Sequence, residues 1–273
     1  MTWTVRQRAM LEEMGVHLWA PAIPRSSADV EASALPPATQ GQAGASPARV
    51  GAAPPPSSIM DDHAAAVPTD RPIGNRPPGI GTMDWPALRD AVASCTACGL
   101  CRSRTNTVFG TGHLQAQWMI IGEAPGEQED LRGEPFVGKS GQLLDSMLRA
   151  VQLTRSDDVP ARQVYIANTL KCRPPGNRNP EPGELSQCEP YLVRQIELVR
   201  PGIILAMGRF AVQALLRSNE PVGRLRGRVH VYHSVPLVVT YHPAYLLRNP
   251  QDKARAWDDL CLARAVAQGS NSA

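Results

Sequence analysis

Four short runs rich in Val, Ile and Leu most restrict what this chain can fold into. They cover residues 117–122, 164–170, 201–207 and 235–241. Apolar side chains fill each run without alternating with polar ones, a pattern typical of parallel strands covered on both faces. Apolar residues recur at helical spacing in residues 141–151, 181–199 and 208–216. The sequence therefore predicts a three-layer α/β/α fold with a short, mainly parallel central sheet.

Composition divides the 273 residues into a long low-complexity segment and one domain. Residues 21–84 are mostly Pro, Ala, Ser and Gly, so they bury too little apolar surface to offset their ordering entropy. We expect a disordered linker over 21–84, a folded domain over 85–268 and a tail over 269–273. Residues 1–20 have apolar side chains near a helical period, which predicts either a helix docked on the core or a tethered helix that binds a protein partner.

The charge and hydropathy of the chain exclude little about its partners. The formal net charge is +3, and the positive excess lies in the C-terminal domain. Such a balance is compatible with binding a polyanion and equally with an ordinary solvated surface. The N-terminal apolar stretch is too short and too charged for a membrane span or a signal peptide. We therefore expect a cytoplasmic protein with no membrane association.

Cysteines occur at metal-ligand spacing in two separate parts of the chain. Two residues separate Cys95 from Cys98 and Cys98 from Cys101. Cys172 follows the second predicted strand, and Cys188 lies in the next helical segment. A disulfide framework is not expected in the cytoplasm, whereas thiolates from two distant segments suit a zinc ion or an iron–sulfur cluster. Unligated buried cysteines are the alternative. The spacing leaves open which two of the first three cysteines would act.

Polar side chains and a glycine-containing loop follow the ends of the predicted strands. The segment GEAPGEQED, residues 122–130, follows the first strand, Asn168 lies near the end of the second, and His242 follows the fourth. In parallel sheets, ligands bind beyond the carboxyl ends of the strands. A single histidine there is more often structural, and a loop of this type is by itself only a weak signal.

Five motifs in one order resemble a known family. They are CTAC, RTNTVFG, GEAPGEQEDLRGEPFVGKSGQLLD, YIANTLKCRPPGNRNPEP and TYHPAYLLRNP. Together they resemble the family 4 uracil-DNA glycosylases, and the similarity covers roughly residues 85–265. It implies a uracil-DNA glycosylase-like fold and a repair enzyme that flips uracil out of DNA and hydrolyses its N-glycosidic bond. Free uracil and an abasic site would result, which is the first step of base excision repair.

The resemblance also implies a [4Fe–4S] cluster. In that family a C-x-x-C pair lies at a fixed interval before the segment that matches RTNTVFG, so Cys101 becomes an extra cysteine. The implied ligands are Cys95, Cys98, Cys172 and Cys188. Such a cluster would hold loops near DNA rather than pass electrons.

The resemblance assigns roles to residues at the strand ends. His242 is implied to donate a hydrogen bond to uracil O2, and Asn168 to pair with O4 and N3–H through its amide. Phe136 would stack on the base. Cytosine presents the reverse donor and acceptor pattern, so we expect the pocket to reject it.

The loop after the first strand is expected to contact uracil through its backbone. Its residues are Gly122, Glu123, Ala124, Pro125 and Gly126. Glu123 is expected to orient the attacking water, which makes Glu123 and His242 the catalytic pair. The nearby Glu129 is expected to crowd uracil C5 and so exclude the methyl group of thymine.

The motif after His242 is expected to contact the DNA itself. Base flipping leaves a gap in the stack, and apolar side chains can fill such gaps. Leu246 and Leu247 are the candidates, with one of them expected to pack on the domain and Leu247 favoured as the wedge. Arg248 and Arg173 are expected to contact phosphates.

Two rival functions follow from the same motifs. One is a suicidal relative that crosslinks itself to the abasic sugar, but that branch typically has Gln where Ala124 stands and carries a basic insertion with a reactive His. The other is a non-catalytic iron–sulfur module that binds DNA. We expect a monomeric enzyme acting on uracil-containing DNA, single- or double-stranded, with a possible protein partner at residues 1–20.

Overall fold

A computed structural model describes residues 74–270 of the chain. The predicted N-terminal helix over 1–20, most of the predicted linker and the last three residues lie outside this range. The folded part begins before the predicted boundary at residue 85, because Ile80 is only 5% exposed and packs with Leu88 and Val92. Average composition does not reveal this boundary, because Ile80 is an isolated large apolar residue in a Pro- and Gly-rich stretch.

The described residues form one six-stranded sheet. Its strands are β1 (Thr111–Gly112), β2 (Trp118–Gly122), β3 (Val164–Asn168), β4 (Ile203–Met207), β5 (Val229–Tyr232) and β6 (Val235–Thr240). The spatial order is β1-β3-β2-β4-β6-β5. The four central strands are parallel and the two edge strands are antiparallel to their neighbours. The predicted mainly parallel sheet is confirmed, and the antiparallel edges were not predicted.

Helices cover both faces of the sheet. They are α1 (Trp85–Ala93), α2 (Glu127–Arg132), α3 (Lys139–Ala150), α4 (Pro182–Val199), α5 (Arg209–Leu216), α6 (Val222–Leu225), α7 (Pro243–Arg248) and α8 (Lys253–Ser270). Short 3₁₀ turns lie at Ile80–Thr82, Gly99–Arg102, Pro160–Arg162, Pro175–Asn177 and Pro250–Asp252. None of the helices within residues 74–270 has the length and apolarity that crossing a membrane requires.

Two apolar clusters, one on each face, make up the three layers. Residues of α3, α7 and α8 pack on one face of the sheet, where Leu144, Leu246 and Leu260 are fully buried. Residues of α4 and α5 pack on the other, including Ile196 and Val212. Every residue of β2, β3 and β4 is buried, which explains why their sequences do not alternate. The predicted three-layer fold is confirmed, and it brings the ends of β2, β3, β4 and β6 to one edge.

Candidate active site

A cleft opens at the carboxyl edge of the sheet, where β2, β3 and β6 end. The sequence-predicted residues that line it are Glu123, Ala124, Pro125, Gly126, Glu129, Phe136, Asn168, His242 and Arg248. They come from four separate segments of the chain. Parallel strands that end together bring these segments to one place.

Gly122 allows the two base-reading candidates to lie side by side. It pairs with Asn168 at the ends of β2 and β3. A Cβ atom at residue 122 would lie 2.4 Å from Asn168 Oδ1 and 2.6 Å from Phe136 Cζ, so only glycine fits. Asn168 is 2% exposed, and its Oδ1 has no hydrogen-bond partner among the described residues. A buried acceptor without a donor is costly, so this atom is suited to receive a donor from a ligand.

Phe136 has an unusual backbone conformation in the wall of the cleft. Its φ is +56°, a left-handed value that non-glycine residues seldom adopt and that tends to mark functional sites. Gly141 supports this conformation, since a Cβ atom there would lie 1.7 Å from the Phe136 carbonyl oxygen. The ring of Phe136 is 5.4 Å from the imidazole of His242, centroid to centroid, and tilted by 30°. The two rings therefore border the same space.

His242 serves as the N-cap of α7, which fixes its imidazole. Its Nδ1 accepts the Ala244 N–H at 3.2 Å, so in the neutral ring the hydrogen is on Nε2. Burial, together with the positive charge of Arg248, lowers the pKa of His242 to about 4. The imidazole is therefore a neutral donor at physiological pH, as the expected bond to uracil O2 requires.

Glu123 combines an anchored backbone with a perturbed side chain. Its carbonyl accepts hydrogen bonds from the Leu170 N–H at 3.1 Å and from the Thr169 hydroxyl. Burial raises the pKa of its carboxyl group to about 7, an effect that the positive charge of Arg209 opposes. A carboxyl group with a pKa near neutrality is typical of a catalytic acid or base.

Glu129 makes contacts that differ from the expected role at uracil C5. Its carboxylate accepts the N–H groups of Gly126 at 3.1 Å, Val137 at 2.9 Å and Gly138 at 3.0 Å. Glu129 therefore ties the loop after β2 to the segment that follows Phe136. Glu129 lines the cleft. Its contacts support a role in holding the loop, and they do not support a role in excluding the methyl group of thymine.

The two candidate wedge residues have opposite environments. Leu246 is 0% exposed and belongs to the apolar cluster beneath α7, so it is the leucine of the pair that packs on the domain and it is not available as a wedge. Leu247 is 46% exposed and is the remaining candidate. The following residue, Arg248, is exposed and lines the cleft.

Arginines around the cleft differ in what they are able to bind. Arg173 donates to Asn177 Oδ1 at 2.9 Å, and its guanidinium lies 3.6 Å from the Glu127 carboxylate. It braces its own loop against α2, which argues against the expected phosphate contact. Arg209 is exposed and lines the cleft, although sequence reasoning did not single it out. Its position directly after Gly208, the glycine that follows β4, was the available signal.

A second cavity collects the predicted cluster ligands. Cys95, Cys98, Cys172 and Cys188 line it together with Cys101, among mainly apolar side chains. No group of three or more His, Cys, Asp or Glu side chains within residues 74–270 has the arrangement needed to hold a metal ion. Thiols from three segments of the chain therefore border one space.

Hydrogen bonds and burial distinguish two of these sulfurs. Arg104 Nη1 donates to Cys172 Sγ at 3.1 Å, and the Lys171 N–H donates to Cys188 Sγ at 3.2 Å. Burial raises the pKa of Cys172 to about 11 and that of Cys188 to about 12. The thiols would thus stay neutral unless a metal displaced their protons.

Buried basic side chains also border this cavity. Arg104 is 5% exposed and Lys171 is 2% exposed. Neither forms a salt bridge with a carboxylate in the part of the chain that the structure describes. Buried charges are normally paired, so the cavity is suited to an anionic occupant.

Comparison with known proteins agrees with this geometry. Residues 109–261 match the family described as the uracil DNA glycosylase superfamily. The chain belongs to this superfamily. A type-4 uracil-DNA glycosylase of Archaeoglobus fulgidus is 44% identical over 168 residues, which are 59% of this chain and 81% of that enzyme. The type-4 enzyme of Thermotoga maritima is 40% identical over 62% of this chain and 85% of its own length.

A more distant branch matches less well. A type-5 uracil-DNA glycosylase of Mycobacterium leprae is 32% identical over 50% of this chain and 67% of its own length. The higher identity and longer coverage assign the chain to the type-4 branch, so the predicted resemblance is confirmed.

Proposed function

We propose that this chain flips uracil out of DNA and hydrolyses its N-glycosidic bond. Free uracil and an abasic site result, and base excision repair continues from that site. The observation that carries the proposal is the shared cleft of Asn168 and His242. An unpartnered buried acceptor and a neutral imidazole donor face one cavity at the sheet edge. The names of the type-4 relatives support the same activity.

Recognition of uracil follows from the amide of Asn168. Its Oδ1 accepts a hydrogen bond from N3–H while its NH₂ group donates to O4. Phe136 stacks on the base. Cytosine offers an acceptor at N3 and a donor at C4, which would leave both ends of the buried amide unpaired, so it is rejected.

Cleavage requires stabilisation of the negative charge that develops on the departing uracil. Nε2–H of His242 donates to O2, and this bond strengthens as charge accumulates there. A pKa of about 4 keeps the ring neutral, so the donor is ready without a proton being taken up. Glu123 in its ionised form accepts a hydrogen bond from the attacking water and faces the cationic sugar.

Contacts to the DNA come from the rim of the cleft. Leu247 enters the gap that the flipped nucleotide leaves, because it is the exposed member of the leucine pair. Arg248 and Arg209 are exposed cations on the same rim and contact phosphates. These contacts should make activity fall with rising salt concentration.

We also propose that the second cavity holds a [4Fe–4S] cluster. Five buried or half-buried thiols, two hydrogen bonds to sulfur and two buried basic side chains fit an anionic thiolate-bound group. Cys95, Cys98, Cys172 and Cys188 would be its ligands. A bound cluster would crosslink the segment around α1 with the segments that follow β3, and it would supply structural support and no step of the hydrolysis.

The test is uracil release from an oligonucleotide with one uracil, offered single-stranded and in duplex. Turnover with free uracil and an abasic product supports the proposal, and Asn168→Ala and His242→Ala should each remove most of it. A stable protein–DNA adduct would instead indicate the suicidal relative, and binding without release a non-catalytic module. A visible absorption spectrum and iron content of the same preparation test the cluster.

The remaining proposals concern assembly. We propose that the enzyme acts as a monomer in the cytoplasm, associated with the nucleoid, and that residues 1–20 bind a protein partner. Light scattering of the full chain tests the first point. Comparison of co-purifying proteins with and without residues 1–20 tests the last.

A further inference from the structure

Lys171 connects the cysteine cavity to the residue proposed to read uracil. It is 2% exposed, and its main-chain N–H donates to Cys188 Sγ at 3.2 Å. Its side chain turns back along the chain, where Nζ donates to the Asn168 carbonyl oxygen at 2.8 Å. Nζ also donates to Gln195 Oε1 at 2.6 Å. One buried residue therefore contacts both a predicted cluster ligand and Asn168.

Gln195 fixes the far end of this connection. It is 0% exposed, and its Nε2 donates to the Phe109 carbonyl oxygen at 2.9 Å and to the Tyr165 hydroxyl at 3.1 Å. The amide is thus anchored by two separate segments. Since Gln195 cannot rotate without breaking these bonds, it holds Nζ of Lys171 in one position.

The position of Asn168 depends in part on this network, which holds its main-chain carbonyl group. The ladder between β2 and β3 ends at the pair Gly122 and Asn168. Beyond it, the Thr169 N–H donates to the Gly122 carbonyl oxygen at 3.1 Å and Lys171 Nζ donates to the Asn168 carbonyl oxygen, while Asn168 Oδ1 has no partner among the described residues. The peptide that follows Asn168 sets the direction of its side chain. Together with the Thr169 N–H, Lys171 therefore fixes this peptide, and with it the direction of the amide, before uracil enters.

A buried lysine is a poor choice for stability alone. Burying an amine costs free energy that its hydrogen bonds only offset, and apolar residues of similar volume often do as well or better. The presence of lysine at this buried position is better explained by a contribution to the specificity for uracil. The network supplies one, since it reaches the main chain of the residue whose side-chain amide is proposed to discriminate uracil from cytosine.

We propose that Lys171 is a positioning residue, which aims the amide of Asn168 at uracil and couples that aim to the cysteine cavity. The inference rests on the proposed function, because it assigns Asn168 the task of reading the base. Lys171 itself does not contact the base in this account.

The test uses Lys171→Met, which keeps the length of the side chain and removes the donor. Free uracil is the probe, as a competitive inhibitor of uracil release. We expect its inhibition constant to rise about tenfold, equivalent to about 1.4 kcal/mol, while iron content and visible absorption stay at the wild-type level. Gln163→Leu is the matched control. It removes a buried amide at the opposite end of β3, where Nε2 contacts Asp157 and Asp158.

Two results decide the matter. The inference is overturned if Lys171→Met raises the inhibition constant no more than Gln163→Leu does. It is also overturned if the effects of Lys171→Met and Asn168→Ala multiply in the double variant, because residues that act through one another are not additive. We expect the double variant to match Asn168→Ala alone.

If Lys171→Met loses iron, the same comparisons are made with Gln195→Leu, because Gln195 lies away from the cysteines. Gln195→Leu should then raise the inhibition constant of uracil by less than tenfold, and this rise should vanish in the Asn168→Ala background. An unchanged inhibition constant, or an effect that multiplies with that of Asn168→Ala, overturns the inference. Failure of the wild-type chain to release uracil would refute the proposed function itself. Wild-type release with unaltered uracil inhibition in Asn168→Ala would refute the role of Asn168 and, with it, that of Lys171.

Discussion

Replacing each of two adjacent leucines with alanine should separate folding from the opening of duplex DNA. Leu246 is 0% exposed and packs between the sheet and its helices. Leu246→Ala should therefore lower the free energy of unfolding by about 2–5 kcal/mol, as other buried leucines do. Leu247 is half exposed, so Leu247→Ala should change that free energy by at most about 0.5 kcal/mol.

The expected effect of Leu247→Ala on activity follows from its exposed surface. Insertion into DNA would bury the 46% of the residue that is now exposed. Full burial of a leucine side chain contributes about 1.5–3 kcal/mol, so this fraction amounts to about 0.7–1.4 kcal/mol. The value of kcat/KM on duplex DNA should fall about three- to tenfold. A single strand has no gap to fill, so its cleavage should not change.

The assay compares uracil release from one sequence in single-stranded and duplex form, with chemical denaturation of each variant alongside. Equal losses on both substrates with Leu247→Ala would refute the wedge. A selective loss on duplex with Leu246→Ala, without loss of stability, would refute the environments assigned to the pair.

Three further predictions concern protons, thiols and the loop after β2. Burial raises the pKa of Glu123 to about 7, and its ionised form is required, so kcat/KM should rise with pH up to about 7 and then level off. Glu123→Gln should lower the plateau of kcat/KM and remove this rise. His242 should add no step between pH 5 and 7, because its pKa is about 4. A rise that persists in Glu123→Gln would contradict both the role of Glu123 and the neutral state of His242. Cys172→Ser should lose most of the iron and Cys101→Ser should keep it, as measured by iron content per chain; the reverse result would exchange their roles. Glu129→Gln should lower the free energy of unfolding by about 1–3 kcal/mol, since one oxygen that accepts a backbone N–H is replaced by a donor; unchanged stability and activity would argue against the loop-holding role.

Prediction from sequence worked where local pattern decides the structure. The central strands are continuous apolar runs, and their parallel arrangement follows from the helices between them. The edge strands β1 and β5 lack this signal. Thr111–Gly112 is only two residues long, and Val231 in β5 is 65% exposed, so pairing with a neighbouring strand decides their structure.

The site follows the same division. Asn168 and His242 were predictable because strand ends meet at one edge of a parallel sheet. Which leucine packs inward depends on how α7 is rotated against α3 and α8, which the motif does not specify. The partners of Glu129 and Arg173 depend on how loops approach one another in space. Arg104, which donates to a cysteine sulfur, lies in the motif RTNTVFG. No feature of that sequence distinguishes it from a surface arginine.

A crystal structure of the chain with free uracil tests the central claim most directly. The account predicts that the base lies on the ring of Phe136, with N3–H and O4 hydrogen-bonded to the amide of Asn168. O2 should lie within hydrogen-bond distance of Nε2 of His242. Uracil bound elsewhere, or bound in this cleft without contact to either side chain, would contradict the account.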